Sequence, residues 1–153
     1  MRLIPALALT LLTAAPLAAQ MPPPAPGPTL EKAQKAAAAA FKACRGTPIA
    51  VAILDSAGGV KLLEVGDGGR GLFADFARRK AATALKFGKP SAAVRDEAKT
   101  NPDLARQLTT DPTLIGFGGG VPYANGAIAA GGAPSQDTDE RCARAGLAVL
   151  ERR

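Results

Sequence analysis

Side chains that could act as general bases or metal ligands are scarce in this sequence. Its 153 residues contain no histidine, which removes the commonest general base, the base of the catalytic triad and the commonest metal ligand. A zinc or iron site would need several carboxylates or thiolates to converge, and the 13 acidic residues are dispersed along the chain. The composition therefore favours a binding protein over an enzyme, and we identify no catalytic residue.

The two cysteines, Cys44 and Cys142, are the other groups with reactive chemistry. Neither belongs to a C-x-x-C pair, so nothing supports a thioredoxin-like activity. We interpret them as one disulfide of an oxidising compartment, and the alternatives are two buried free thiols or ligands of a metal or haem. A bridge between them would close a loop of about 100 residues, which stabilises a fold by up to about 4.7 kcal/mol.

Two glycine clusters could bind an anion through backbone N–H groups. The cluster at 66–71 lacks the lysine of a P-loop, and Gly118-Gly119-Gly120 precedes Val121-Pro122 rather than a helix, so nucleotide binding is not favoured. Nucleic-acid binding is not favoured either. Aromatic residues make up 4% of the chain, and the basic residues behind its net charge of +6 are interspersed with acids.

The first 28 residues have the composition of an export leader and a spacer. Met1-Arg2 is followed by an apolar run and then by small residues up to Ala19, which is the pattern of a secretory signal peptide. The run is too short to span a bilayer, which needs about 20 residues. We predict a signal peptide at 1–19, a proline-rich linker at 20–28 and one domain at 29–153. The mature protein is then periplasmic or secreted, with no stable membrane span.

Hydrophobic spacing and turn residues predict an α+β domain. Apolar steps of three and four residues indicate helices, β-branched runs indicate strands, and Gly and Pro mark their ends. The predicted helices cover 30–44, 72–87, 91–99, a segment starting at 101, and 135–150; the predicted strands cover 49–55, 60–65, 112–117, 121–123 and 127–130. Because hairpins replace regular β-α-β alternation, we expect an antiparallel sheet with helices on its faces.

Four segments of the domain occur in a characteristic order: VAILDSAGG at 51–59, RKAATALKFGKPS at 79–91, GGGVP at 118–122 and GGAPSQD at 131–137. Together they resemble the GlcG/HbpS family of haem-binding proteins. The resemblance spans the whole predicted domain. It implies a five-stranded antiparallel sheet flanked by helices in a profilin-like layering, a tendency to form homo-oligomers, and haem as the cofactor. The hairpin after GGGVP is shorter here than the family usually has, so the sheet edge beside it is expected to be trimmed.

The resemblance also implies a haem site, which has to be fitted to a chain without imidazole. We name Tyr123, the only tyrosine, as the first candidate for the iron ligand; the alternative is a half-buried aromatic ring with a solvated hydroxyl. The propionates of haem require Arg or Lys, for which Arg79 and Lys80, with their neighbour Arg78, are candidates unless they form a solvated helix face. The other candidate cofactor-binding residues are Thr83, Phe87, Gly118, Gly119 and Gly120, and Phe73 and Phe76 are further ring contacts.

Two of these assignments have ordinary structural alternatives. Thr83 could bond the carbonyl one helical turn back, and phenylalanines at helical spacing are often core residues. The expected function is that of an exported haem- or tetrapyrrole-binding protein acting in haem sensing, storage or breakdown. The alternative is a cofactor-free oligomeric accessory or structural protein of the same fold.

Overall fold

Five helices and one four-stranded antiparallel sheet make up the computed structural model, which describes residues 23–152. The predicted signal peptide lies outside these residues. The strand order is β2-β1-β4-β3. The elements are α1 (Leu30–Ala43), β1 (Ala50–Asp55), β2 (Val60–Val65), α2 (Gly71–Phe87), α3 (Ser91–Ala98), α4 (Pro102–Thr110), β3 (Gly120–Tyr123), β4 (Gly126–Gly131) and α5 (Gln136–Leu150). The predicted α+β class and antiparallel sheet are confirmed.

The sheet is covered on both faces, which explains why β1 is apolar throughout. Val51 and Ile53 pack in one core with α1 and α5, whereas Ala52 and Leu54 pack in a second core with α2. Alternate residues of a strand point to opposite faces, so a strand between two helical layers needs apolar residues at every position.

The prediction of a fifth strand at 112–117 is wrong, because helix α2 satisfies the backbone that a neighbouring strand would have bonded. Arg79 donates from Nε and Nη2 to the carbonyl oxygen of Leu114, at 2.9 and 2.6 Å. The hydroxyl oxygen of Thr83 accepts from the N–H of Ile115 at 3.0 Å. Pro112 has no N–H to offer a sheet. The segment is therefore an ordered loop on α2, and the sheet has four strands.

The segment before α1 is held against the first hairpin. Residues 23–28 form neither helix nor strand, in keeping with their proline content. The N–H of Ser56, in the β1–β2 turn, donates to the carbonyl oxygen of Pro26 at 2.9 Å. Within the part of the chain that is described, no helix has the length and apolar character needed to cross a membrane.

The predicted disulfide is confirmed. Helices α1 and α5 lie side by side, and Cys44 at the end of α1 is bonded to Cys142 in the middle of α5, with Cα atoms 5.7 Å apart. Both cysteines are buried in the core that α1 and α5 share with the sheet. The bridge spans 98 positions of sequence and therefore constrains most of the domain.

We expect reduction of this disulfide to lower the free energy of unfolding by about 2–5 kcal/mol, because the unfolded chain regains the entropy of a long open loop. Urea unfolding with and without a thiol reductant measures the change. A Cys44→Ala/Cys142→Ala variant should unfold at the same urea concentration in both conditions. An unchanged midpoint for fully reduced wild-type protein would contradict the prediction.

Candidate functional site

Three consecutive basic residues of α2 occupy three different environments. Arg79 is bound to Leu114, and its guanidinium lies 3.6 Å from the carboxylate of Asp75. Lys80 is 2% exposed. Arg78 donates to Asp75 at 3.0 Å and lines an open groove. Of the three cations considered for propionate binding, Arg78 is therefore the one that lines this groove, whereas Lys80 lines only a smaller cavity at the amino end of α5.

Lys80 forms a buried ion pair with a residue that the sequence analysis missed. Its Nζ lies 2.5 Å from Oδ2 of Asp139 in α5 and donates to the carbonyl oxygen of Ala130 at 3.3 Å. The other oxygen of Asp139 accepts from the N–H of Ala133 at 3.0 Å. Burial raises the pKa of Asp139, while the hydrogen bond and charge of Lys80 oppose the shift. Asp139 lies three and four residues before the buried Cys142 and Ala143, and this inward spacing was the available signal.

The triple-glycine bend is buried against α2 and lines neither of the two grooves described below. Gly119 has φ +122°, and an added Cβ would lie 2.7 Å from the Cβ of Asp139. At Gly120, an added Cβ would lie 2.2 Å from the carbonyl oxygen of Lys80, and its N–H donates to Ser91 Oγ at 2.8 Å. Gly118 donates its N–H to Gln136 Oε1 at 2.6 Å. These glycines allow the bend to pass directly over the buried ion pair.

Tyr123 lies on the opposite face of the sheet from the α2 residues. Its ring packs with the core of α1 and α5, and its hydroxyl donates to the carbonyl oxygen of Leu54 at 2.9 Å. Burial, with a smaller effect from Asp55, raises the pKa of Tyr123 to about 12. It lines a groove of about 630 Å³ that includes Pro28, Lys32 and Leu150. The structure therefore does not bring Tyr123 together with Arg79, Lys80 and Thr83.

Two further candidates on α2 have structural partners. Thr83 is fully buried, and its Oγ1 lies 3.0 Å from the carbonyl oxygen of Arg79, one helical turn back. The same oxygen accepts a hydrogen bond from the N–H of Ile115. Phe87 is half-buried against a small core formed by Val94, Leu104, Leu108 and Leu114. Both side chains hold α2 against the loop and the helices that follow it.

A groove of about 520 Å³ opens between the β1–β2 hairpin and the outer side of α2. Apolar side chains of Val60, Ala82 and Leu85 line it, and the cations Arg78 and Lys86 stand at its edge. Its apolar surface continues along the same face of β2, where Val60, Leu63 and Val65 are 51%, 42% and 42% exposed. A concave apolar surface edged by a few charged groups is the usual form of a small-molecule site.

Acidic residues at the groove already partner its two cations. Lys86 lies 3.0 Å from Asp111, and hydrogen bonds from Thr113, followed by the bond from Lys86, lower the pKa of Asp111 to about 2. Arg78 is paired with Asp75. Both ion pairs are partly exposed, with side chains between 31% and 46% accessible. Each cation can therefore leave its carboxylate and bind another anion at a small cost in free energy.

The chain forms a small α+β domain, with a sheet between two helical layers and an apolar cleft edged by cations. A family model described as "Haem degrading protein HbpS-like" matches residues 29–148. The chain belongs to this HbpS-like family, which confirms the resemblance found in the sequence.

Solved structures agree with this assignment. A crystal structure of HbpS is 33% identical, with a TM-score of 0.75 over 92% of this chain and 100% of that one. Klebsiella pneumoniae protein ORFY is 22% identical, with a TM-score of 0.75 over 94% and 99% of the two chains. A PduOC:haem complex is 20% identical, with a TM-score of 0.68 over 80% and 91%. The last two show similarity of fold. Among curated proteins, no sequence matches this chain.

We expect Lys80→Met to lower the free energy of unfolding by about 3–5 kcal/mol, because it leaves the Asp139 carboxylate buried without its cation. Lys86→Met is the matched control on the same helix, since it removes a partly exposed ion pair and should leave the urea midpoint nearly unchanged. Chemical unfolding of both variants measures the difference. Equal midpoints would show that the buried pair does not hold α2 to α5.

Proposed function

We propose that this protein binds haem in the groove between the β1–β2 hairpin and α2. The observation that carries the proposal is the coincidence of an apolar cleft and two exchangeable cations on the helix that carries the family-like RKAATALKFGKPS segment. Membership of the HbpS-like family supports it, as does the likeness in fold to a protein solved in complex with haem.

The groove can accommodate the apolar ring. Val60, Ala82 and Leu85 supply apolar contacts, and the exposed Leu63 and Val65 extend this surface beyond the groove. Transferring such surface from water to a porphyrin face is favourable by about 25 cal/mol per Å². The ligand thus gives these exposed side chains the apolar neighbour that the described chain does not supply.

Arg78 and Lys86 would pair with the propionates. They are separated by eight residues of α2, or about 12 Å along the helix axis, and both reach the groove. Charge-assisted hydrogen bonds to carboxylates are stronger than neutral ones. This assignment replaces Arg79 and Lys80, whose cations are bound to Leu114 and Asp139.

Ser56, Asp111 and Thr113 line the groove and carry side-chain oxygens that could face the iron of a bound haem. Tyr123 would serve only a ligand in the groove on the other face of the sheet. Haem supplies redox chemistry when bound, and these residues would position the ring and limit access of water to one side of it.

Titration with hemin tests the proposal. Wild-type protein should give a saturable change in the Soret band at micromolar hemin. Arg78→Ala should raise the Kd by about tenfold, because a charge-assisted bond to a propionate is lost. Arg106→Ala is the matched control, since Arg106 also bonds an aspartate three residues earlier, at 2.9 Å, but lies on α4. No saturable change, or equal effects of the two variants, would refute the groove as the site.

A second pair of variants separates ring contact from charge. Val60→Glu places a carboxylate inside the groove and should weaken hemin binding, whereas Val65→Glu, on the same strand but outside the groove, should have a smaller effect. If Tyr123→Phe alone abolishes the Soret change, the ligand lies on the opposite face of the sheet.

We also propose that the protein is exported and that the proline-rich segment separates the signal peptide from the domain. The predicted leader and the disulfide support this, since disulfides persist in oxidising compartments. Expression of the full chain in a bacterial host should yield a mature product beginning at Gln20, detectable by intact mass in the periplasmic or medium fraction. A cytoplasmic product that retains Met1 would contradict it.

A cofactor-free oligomeric role is the second candidate, favoured by the exposed apolar residues of the sheet-edge strand β2. Edge strands with apolar side chains readily pair with other chains. If this role is correct, the protein should show no saturable hemin response, and Leu63→Lys should shift its sedimentation towards the monomer. A monomer at all concentrations would exclude it.

A further inference from the structure

Residues 26–28 form a strap across the turn between β1 and β2. The carbonyl oxygen of Pro26 accepts a hydrogen bond of 2.9 Å from the N–H of Ser56 in that turn. Gly27 lies directly against the last residue of β1, because a Cβ added to this glycine would lie 2.8 Å from the Cβ of Asp55. The strap therefore contacts the hairpin at a position where even a methyl group would not fit.

The turn beneath the strap forms one wall of the groove between the hairpin and α2. Ser56, Ala57 and Gly58 line this groove. A Cβ added to Gly58 would lie 3.8 Å from Cδ2 of Leu85, which lines the groove from α2. The width of the groove at this point therefore depends on where the turn stands relative to the helix.

Inside the turn, Asp55 supplies hydrogen bonds that give the backbone its shape. Its Oδ1 accepts from the N–H groups of Ala57 and Gly59, at 3.0 and 2.8 Å. The N–H of Ser56 donates to the strap instead. Because Gly27 lies against Asp55, the strap contacts the turn both at the residue that organises it and at the amide that follows.

The strap is stiff and is anchored at its other end. Pro26 and Pro28 have fixed φ angles. The next residue, Thr29, caps α1 by accepting a hydrogen bond of 3.2 Å from the N–H of Lys32. A segment with few accessible conformations loses little entropy when it is ordered. A three-residue link between a helix cap and a hairpin turn can therefore hold the turn in one place.

We propose that the strap positions the β1–β2 turn and thereby fixes the groove wall that contacts the ring of the ligand. The inference rests on the haem site proposed for that groove. Gly27 is a positioning residue, because it lets the strap approach Asp55 closely enough for Pro26 to bond Ser56. When the strap loosens, the turn moves away from Leu85 and bound hemin dissociates faster. The end of the proline-rich segment thus acts in ligand binding and is more than a spacer.

Gly27→Ala tests the strap, and Gly71→Ala is the matched control. The added methyl group meets Asp55 in the first variant, whereas a Cβ at position 71 meets no described atom within 4 Å outside its chain neighbours and its own helix. In purified protein without hemin, amide exchange at Ser56, measured by NMR, should be about tenfold faster in Gly27→Ala and unchanged in Gly71→Ala. The methyl resonance of Leu85 should shift only in Gly27→Ala. Unchanged exchange at Ser56, or an unchanged Leu85 resonance, would overturn the proposal.

An internal reference separates positioning from a general loss of stability. The N–H of Ile115 is buried and bonds Thr83 Oγ1 on the other side of α2 from the strap's contacts with the hairpin. Its exchange rate should be the same in both variants and in the wild type. Equal acceleration at Ile115 and Ser56 in Gly27→Ala would show that the whole fold is destabilised, and would also overturn the proposal.

The rate of hemin dissociation tests the consequence for the ligand. Gly27→Ala should release hemin about three to ten times faster than the wild type, and Gly71→Ala should release it at the wild-type rate. Faster exchange at Ser56 with an unchanged dissociation rate would refute the inference and leave the haem site in place. If the wild type itself gives no Soret change, the haem proposal fails, and the exchange rates and the Leu85 resonance alone decide whether the strap positions the turn.

Discussion

The ion pair between Lys80 and Asp139 is the contact on which the arrangement of this domain depends. It joins α2 on one face of the sheet to α5 on the other, beside Ala130 near the end of β4. A buried charge is tolerated only when it is paired and hydrogen-bonded, so the chain around it must close tightly. The positive φ of Gly119 and the close approach of Gly120 to Lys80 meet that requirement, and the turn before α5 supplies an N–H to the aspartate. The GGGVP and GGAPSQD segments thus surround one electrostatic contact.

Side chains of α2 also form hydrogen bonds that a fifth strand would otherwise have formed. Arg79 and Thr83 bond the backbone of the loop at Leu114 and Ile115, which a sheet would otherwise have had to satisfy. This use of polar side chains restricts what the helix can offer a ligand. The inward side of the helix packs against the sheet and bonds to the loop. Its outward side, which carries Arg78 and Lys86, faces the groove.

The local pattern of residue types in the sequence was sufficient to predict most helices and strands of the fold. The five helices and four of the five expected strands follow from periodicity, caps and turn glycines, and the pairing of Cys44 with Cys142 follows from the adjacency of the first and last helices. The errors concern contacts between distant positions. The apolar residues at 114–115 were predicted to form a strand, because the spacing of residue types in the sequence does not show that side chains of α2 bond to the backbone there. Tyr123 was assigned to the same site as the α2 residues, whereas the alternation of side chains along β3 places it on the other face of the sheet. The spacing on α5 could have marked Asp139 as inward-facing, but no local signal shows that it pairs with Lys80, which is 59 positions away.

The disulfide also determines how proteolytic cleavage of this molecule would be detected. Cys44 and Cys142 enclose both hairpins and three of the helices, including the exposed loop around Asp67 and Gly68. Exposed glycine-rich loops are preferred points of proteolytic cleavage. A single cut there leaves two fragments that the disulfide still joins. Both cysteines of the bridge remain buried in the core. A nicked molecule would keep its mass on a non-reducing gel and separate into two bands only after its thiols are freed.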